Sequence, residues 1–209
     1  MIADWWPALL IAWGIQAASL LSPGPAVTLL LGVSASRGRG AAVATACGIG
    51  SAAIVMSLGT VLGVAAIFVL YSDLMTVVRL AGAVFLLWLA FKSFRTAIVL
   101  PPLPDVQFRP RSGFRTALTG FVLQLSNPKA IFFWLAIASA ANLAAAPWPV
   151  VVLFVLGAFL NSLLIHLGWA LLLSAAPVRA LYPRARRWIE GAIGVFFTVF
   201  AVRLAMERS

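Results

Sequence analysis

From Asp4 to Arg37 the chain carries no charged residue for 32 positions, and from Arg39 to Asp73 it carries none for 33. A helix needs only ~20 apolar residues to cross a bilayer. A third gap, from Lys129 to Arg179, holds 49 residues, enough for the rest of one span, a turn and a second span. Hydrophobic residues make up 63% of the chain and charged residues 10%, far from a soluble balance. In lipid every backbone polar group must be satisfied within the protein. The chain therefore reads as an all-α, polytopic membrane protein, a single transmembrane domain over residues 1–209.

Apolar runs and their breakers predict six spans, near Trp5–Leu31, Ala41–Leu70, Leu74–Phe94, Phe114–Ala140, Pro147–Leu173 and Trp188–Leu204. The third and sixth are weaker, because Arg79 and Lys92, and Glu190 and Arg203, leave charge-free cores of 12 residues each. Arg and Lys near helix ends can snorkel to the interface, so both still span. Met1-Ile-Ala-Asp-Trp-Trp6 lacks a basic start, so the first span is expected to be retained. Eleven Arg and Lys residues flank the loops after spans one, three and five, and none the loops after spans two and four. The basic loops are expected to face the cytoplasm and both termini the outside, against the weaker vote of Arg203 and Arg208. Trp5, Trp6, Tyr71 and Trp148 mark the expected outer interface, and Trp88, Tyr182 and Trp188 the inner one.

Two of these spans are interrupted. Ser22-Pro23-Gly24-Pro25-Ala26 and Ser126-Asn127-Pro128-Lys129-Ala130 lie 104 residues apart, half of a 209-residue chain. With three spans per half, an odd number, the second half must enter the membrane in the opposite sense. The expected architecture is thus two inverted three-helix repeats, about 1–100 and 105–209, with helices one and four broken. Broken helices at membrane depth are tolerated only beside protein or a water-filled cavity. Proline suits a first helical turn, and serine or asparagine before it suits an N-cap. Each motif can start a half-helix whose positive end faces a cavity, and with Lys129 these ends suit a carboxylate.

Lys129 is the costliest residue in the membrane. No acid lies within a deep apolar run, so no internal partner for it is evident. It is left to bond freed carbonyls, to stay uncharged, or to meet an anionic group of a ligand. Gln16, Ser19, Gln124, Asn161, Ser162 and His166 are the other polar residues at depth. Gln16 and Ser19 share a face with the first break, and Ser162 and His166 share one on span five. His166 reads equally as a proton relay or as an interhelical hydrogen bond. The glycine pair Gly59/Gly63 and Ala44/Gly48 read as close-packing surfaces, and Cys47 as a packing residue.

The net charge of +10 is explained by topology rather than by nucleic acid. One cysteine excludes an intrachain disulfide and a cysteine metal cluster. No cofactor or metal is expected, and with one histidine and no embedded acid the enzyme readings narrow to one. That alternative is an intramembrane serine protease using Ser51 and His166. The proline-rich stretch Thr96–Gly113 reads as a linker between halves. No filter or ring of acids suggests a channel.

Ser22-Pro23-Gly24-Pro25, the third-span end Gly82–Arg95, the stretch from Gly120 to Asn127-Pro128-Lys129-Ala130, and the last helix Arg187–Ala205 carry a resemblance. Together they resemble the lysine exporter (LysE-type) and homoserine/threonine exporter family of bacterial amino-acid efflux proteins, over nearly the whole chain. The resemblance implies six helices, efflux of an amino acid or close derivative through the inner membrane, and coupling to the proton gradient. Many relatives carry tyrosine and glycine where this chain has Phe85 and Ala90. Some carry an acid or amide in span two, where Ser51, Ala52 and Ala53 stand here. That difference argues against proton coupling through span two and against basic substrates. The expected binding residues are Ser22, Pro23, Gly24, Pro25, Asn127, Pro128 and Lys129, with Gln16, Gln124, Asn161 and His166 as wall residues. The expected partners are an amino acid and the lipid bilayer, with monomer and homodimer both open. If the charge count sets the topology, a reporter fused after Arg109 will read cytoplasmic and one after Ser209 external; matching compartments would refute six spans.

Overall fold

The computed structural model describes residues 2–70, 74–100, 112–127, 129–131, 133, 134, 137 and 143–206. For residues 2, 3, 64–70, 74–76, 78, 79 and 144 it describes the backbone alone. The expectations for Tyr71, for Pro128 and for the prolines at 101, 102, 104 and 110 lie outside the described residues. All regular structure described is helical.

A short 3-10 turn, Ile2–Trp5, leads into α1, Trp6–Leu21. Then come α2, Pro25–Leu70; α3, Leu74–Val99; and α4, Gly113–Leu125. Helical residues resume at 129, and after a 3-10 turn at Leu143–Ala145 the chain forms α5, Trp148–Ser174, and α6, Ala176–Met206. Among the described residues four stretches are long and apolar enough to cross a membrane: Pro25–Gly63, Leu80–Val99, Trp148–Ser174 and Ala176–Met206. They include both segments whose cores look short in the sequence. The protein is a multi-pass membrane protein.

Helix α2 is two helices joined at one residue. Gly38 sits at φ 75°, ψ −175° inside it, a conformation open to glycine and closed to side chains with a Cβ. The sequence Arg37-Gly38-Arg39-Gly40 thus turns the chain without a loop.

Helix α6 begins about twelve residues before the expected sixth span. Arg179, Arg184, Arg186 and Arg187 stand on the helix rather than in a loop, with Pro183 accommodated inside it. The connection from α5 shrinks to Ala175. Arg179 donates to the carbonyls of Leu173 and Ser174 at 3.0 and 2.9 Å and so caps α5, while Arg187 donates to Ala97 at 3.0 Å near the end of α3. Cations at helix C-termini also answer the helix dipole.

Helix α3 packs mainly on α6, whereas α2 packs on α5 and α4, and α1 lies on α5. Two apolar cores result. One gathers Leu9, Ile15, Leu86, Phe133, Phe154 and Phe197, and the other Val27, Leu30, Val33, Ile49, Leu173 and Tyr182. Leu10, Val84, Phe91, Leu156, Leu164 and Val199 point outward, as suits lipid contact.

The small residues divide by role. A methyl on Gly48 would run into the carbonyl of Ala117, and one on Gly120 into that of Thr45, so α2 and α4 touch backbone to backbone. Gly59 and Gly63 instead face open space, and Cys47 is exposed, which corrects the packing expected of them. Gly48→Val should therefore cost about 1–3 kcal/mol by overpacking. Gly59→Val should leave stability unchanged. The folded fraction after heating in detergent separates the two.

Candidate functional site

Helix α1 stops because the chain runs out of donors. In a continuous helix the carbonyl of Ser19 would bond the amide of residue 23, and that of Leu21 the amide of residue 25. Both positions are proline, which has no N–H. Ser22 turns extended at φ −69°, ψ 123°, and its amide reaches back to Ala18 and Ser19 at 3.2 Å. Pro25 then opens α2, whose first bond runs from the Thr28 amide to the Gly24 carbonyl at 2.9 Å.

The second break mirrors this logic. Helix α4 ends at Leu125, and the amides of Ser126 and Asn127 bond back to Val122 and Gln124 at 3.0 and 3.2 Å. The Asn127 side-chain oxygen accepts from the Lys129 amide at 3.1 Å, and its carbonyl accepts from Ile131 at 3.0 Å. Asn127 is thus the N-cap of the helix that follows, as its residue type suggests.

The two breaks meet through Lys129. Its ammonium donates to the carbonyls of Ser19 and Ser22, each at 3.1 Å. Of the three fates left open for this lysine, the structure shows bonding to freed carbonyls. The indole of Trp169 takes the neighbouring Leu20 carbonyl at 3.2 Å. A cation at this position also meets the negative end of α1. A lysine 107 residues away from Ser22 therefore caps the helix that the first motif ends.

The polar residues at depth form a layer behind the breaks. Gln16 donates to the Ala158 carbonyl at 3.0 Å, and the Asn161 amide donates to the Trp13 carbonyl at 3.0 Å and to Gln16 Oε1 at 2.9 Å. Asn127 Nδ2 lies 3.5 Å from Gln124 Oε1. His166 Nδ1 lies 2.8 Å from the Ser162 carbonyl oxygen and 3.3 Å from Ser162 Oγ. Ser51 does not join it: its hydroxyl donates to the Cys47 carbonyl at 2.9 Å within its own helix. Among the described residues no hydrogen bond joins Ser51 to His166, so the dyad that the protease alternative needs is not formed.

A cavity of about 860 Å³ opens beside the breaks. Ser22, Pro23, Gly24, Pro25, Asn127 and Lys129 line one wall. Trp88, Lys92, Ser93 and Thr96 of α3, with Arg186 and Glu190 of α6, line the facing wall. A second hollow of about 890 Å³ shares Pro25, Thr119, Leu123 and Asn127 and reaches Arg115. Gln124 and His166 border a small void behind Lys129, and Gln16 and Gln124 another. Asn161 is engaged between α1 and α5 rather than along the large cavity.

Sequence reasoning missed the facing wall, Glu190 above all. This acid is 3% exposed, takes a hydrogen bond from Ser93, and has Lys129, Arg186 and Lys92 as charged neighbours. The expectation that no acid stands near Lys129 is therefore corrected. The signal was present: Glu190, Ile193, Gly194, Phe197, Ala201 and Leu204 recur at helical spacing and are all buried. The flanking arginines disguise Glu190 as a residue of an interfacial loop.

A family model described as LysE type translocator matches residues 17–208. The threonine efflux protein of Escherichia coli strain K12 is 28% identical over 206 residues, covering 93% of this chain and 95% of that protein. The threonine efflux protein of Salmonella typhi is 29% identical with the same coverage. The uncharacterized membrane protein YahN of Escherichia coli strain K12 is 27% identical, over 96% of this chain and 90% of its own. No solved structure matches the chain.

Proposed function

The chain belongs to the LysE type translocator family, a family of translocators rather than enzymes, and we propose that it exports a small neutral amino acid across the bacterial inner membrane. Relatives that match nearly end to end are named for threonine efflux, which motivates threonine or a close derivative as the first candidate. The reading is carried by one observation: Lys129 joins the two helix breaks and stands in the wall of a cavity large enough for an amino acid.

In this proposal six spans form two inverted repeats. The first span is α1, the break and the part of α2 before Gly38; the fourth is α4, the second break and the helix beginning at 129. Helix contacts support that symmetry, since α1 lies on α5 as α4 lies on α2, and α3 pairs with α6. Both termini would face the periplasm.

The binding site comprises Ser22, Pro23, Gly24, Pro25, Asn127, Pro128 and Lys129. Lys129 has three ammonium donors, and the α1 carbonyls use two. The third is available for a substrate carboxylate, with the start of α2 adding its positive end. Gln16, Gln124, Asn161 and His166 hold the half-helices from behind. The cavity is open beside Lys92, Arg186 and Arg115, whereas Phe133, Trp134, Phe154 and Phe197 fill the other side. With the basic side cytoplasmic, the molecule stands ready to load from within. Export then requires closure at the basic end and opening past the aromatic plug, a cycle driven in this proposal by the proton gradient.

Lys129→Gln should lower export at least tenfold while the protein still reaches the membrane, because removing a charge eases insertion. Asn127→Ala should act in the same direction but less, a lost cap costing ~0.5–2 kcal/mol. Efflux of labelled amino acid, normalised to membrane protein level, measures both. Export at the parent rate by Lys129→Gln would refute the site.

A further inference from the structure

Glu190 does no work in the reading above, yet it is a buried carboxyl in the wall of the same cavity. A buried carboxylate is costly unless its acceptors are used. Its polar and charged neighbours are Ser93, Lys129, Arg186 and Lys92. Lys129 is its counterpart in charge, but each is held by its own surroundings. The lysine is tied to Ser19 and Ser22, the glutamate to Ser93. Lys129 stands just after the second helix break, and Glu190 stands on α6, which packs mainly on α3. Opposite charges thus line facing walls of one cavity.

We propose that Glu190 binds the substrate's α-ammonium group while Lys129 binds its carboxylate, so that the site reads a zwitterion and a bound α-amino acid draws α6 toward the helix breaks. This rests on the export reading above and adds its second pole. Among the described residues Glu190 is the one acid lining the cavity, alongside Lys92, Lys129 and Arg186. Lys92 is partly engaged by the Trp88 ring, 5.1 Å below its ammonium. A substrate with a cationic side chain would meet Lys92 and Arg186 at the basic mouth, so lysine and arginine should be rejected. A hydroxy acid keeps the carboxylate but leaves Glu190 unanswered.

The test uses purified full-length protein in proteoliposomes with two probes, L-threonine and 2,3-dihydroxybutyrate, its analogue with hydroxyl in place of the amine. The parent should favour threonine by about tenfold or more, the worth of one charge-assisted hydrogen bond. In Glu190→Gln, whose amide oxygen can still accept from Ser93, that ratio should collapse toward one, mainly through loss of threonine transport. An unchanged ratio at equal protein level overturns the role of Glu190 and leaves the export reading standing. A parent that moves no amino acid overturns both. Should Glu190→Gln fail to reach the membrane, Glu190→Asp is measured instead. Its shorter reach should raise the KM for threonine several-fold with less effect on dihydroxybutyrate, and an unchanged KM overturns the proposal.

Discussion

Prolines at positions 23 and 25 break the helix after α1, and the carbonyls at that break, those of Ser19, Leu20 and Ser22, draw side-chain donors from distant parts of the chain. Water cannot satisfy them inside a bilayer, so the protein must. Lys129 reaches the carbonyls of Ser19 and Ser22, and Trp169 that of Leu20. The Lys129 amide is in turn fixed by the Asn127 cap. One residue therefore ties the end of a helix in the first half of the chain to the start of a helix in the second. The lysine's cost in the membrane and the carbonyls' cost without donors offset each other.

This arrangement explains where the cavity lies. The breaks stop α1 and α4 short, at 16 and 13 residues, and leave a gap that α3 and α6 face without filling. Two apolar cores pack the helices, one around Phe133, Phe154 and Phe197, the other around Leu30, Ile49 and Leu173. Tight backbone contact between α2 and α4, set by Gly48 and Gly120, and the side-chain hydrogen bonds of Gln16 and Asn161 between α1 and α5 hold the half-helices in place.

Much of this was legible from residue type and position. Long charge-free runs give a multi-pass helical protein, and paired Pro-containing motifs mark the breaks, because lipid admits few other solutions. The N-cap of Asn127 follows from local chemistry alone. What escaped was tertiary. Arg184, Arg186 and Arg187 look like loop residues until α6 is seen to begin at Ala176. Glu190, one turn further on, then proves to face inward, which its helical spacing from Gly194 and Phe197 foreshadowed. Nothing local distinguishes Gly48, pressed against Ala117, from Gly59, which faces open space. The partner helix makes that difference, and it is not in the neighbouring sequence.

Under the proposed function an amino acid binds at the paired breaks, in a cavity reached from the cytoplasm. Thr28, one turn beyond Gly24, lines that cavity. In a Cys47→Ser background, Thr28→Cys can be treated with a membrane-impermeant thiol reagent in inside-out and right-side-out vesicles. Labelling should be fast in inside-out vesicles and slowed several-fold by saturating threonine. Labelling from the periplasmic side alone, or at a rate that no exported amino acid changes, would contradict the proposed function.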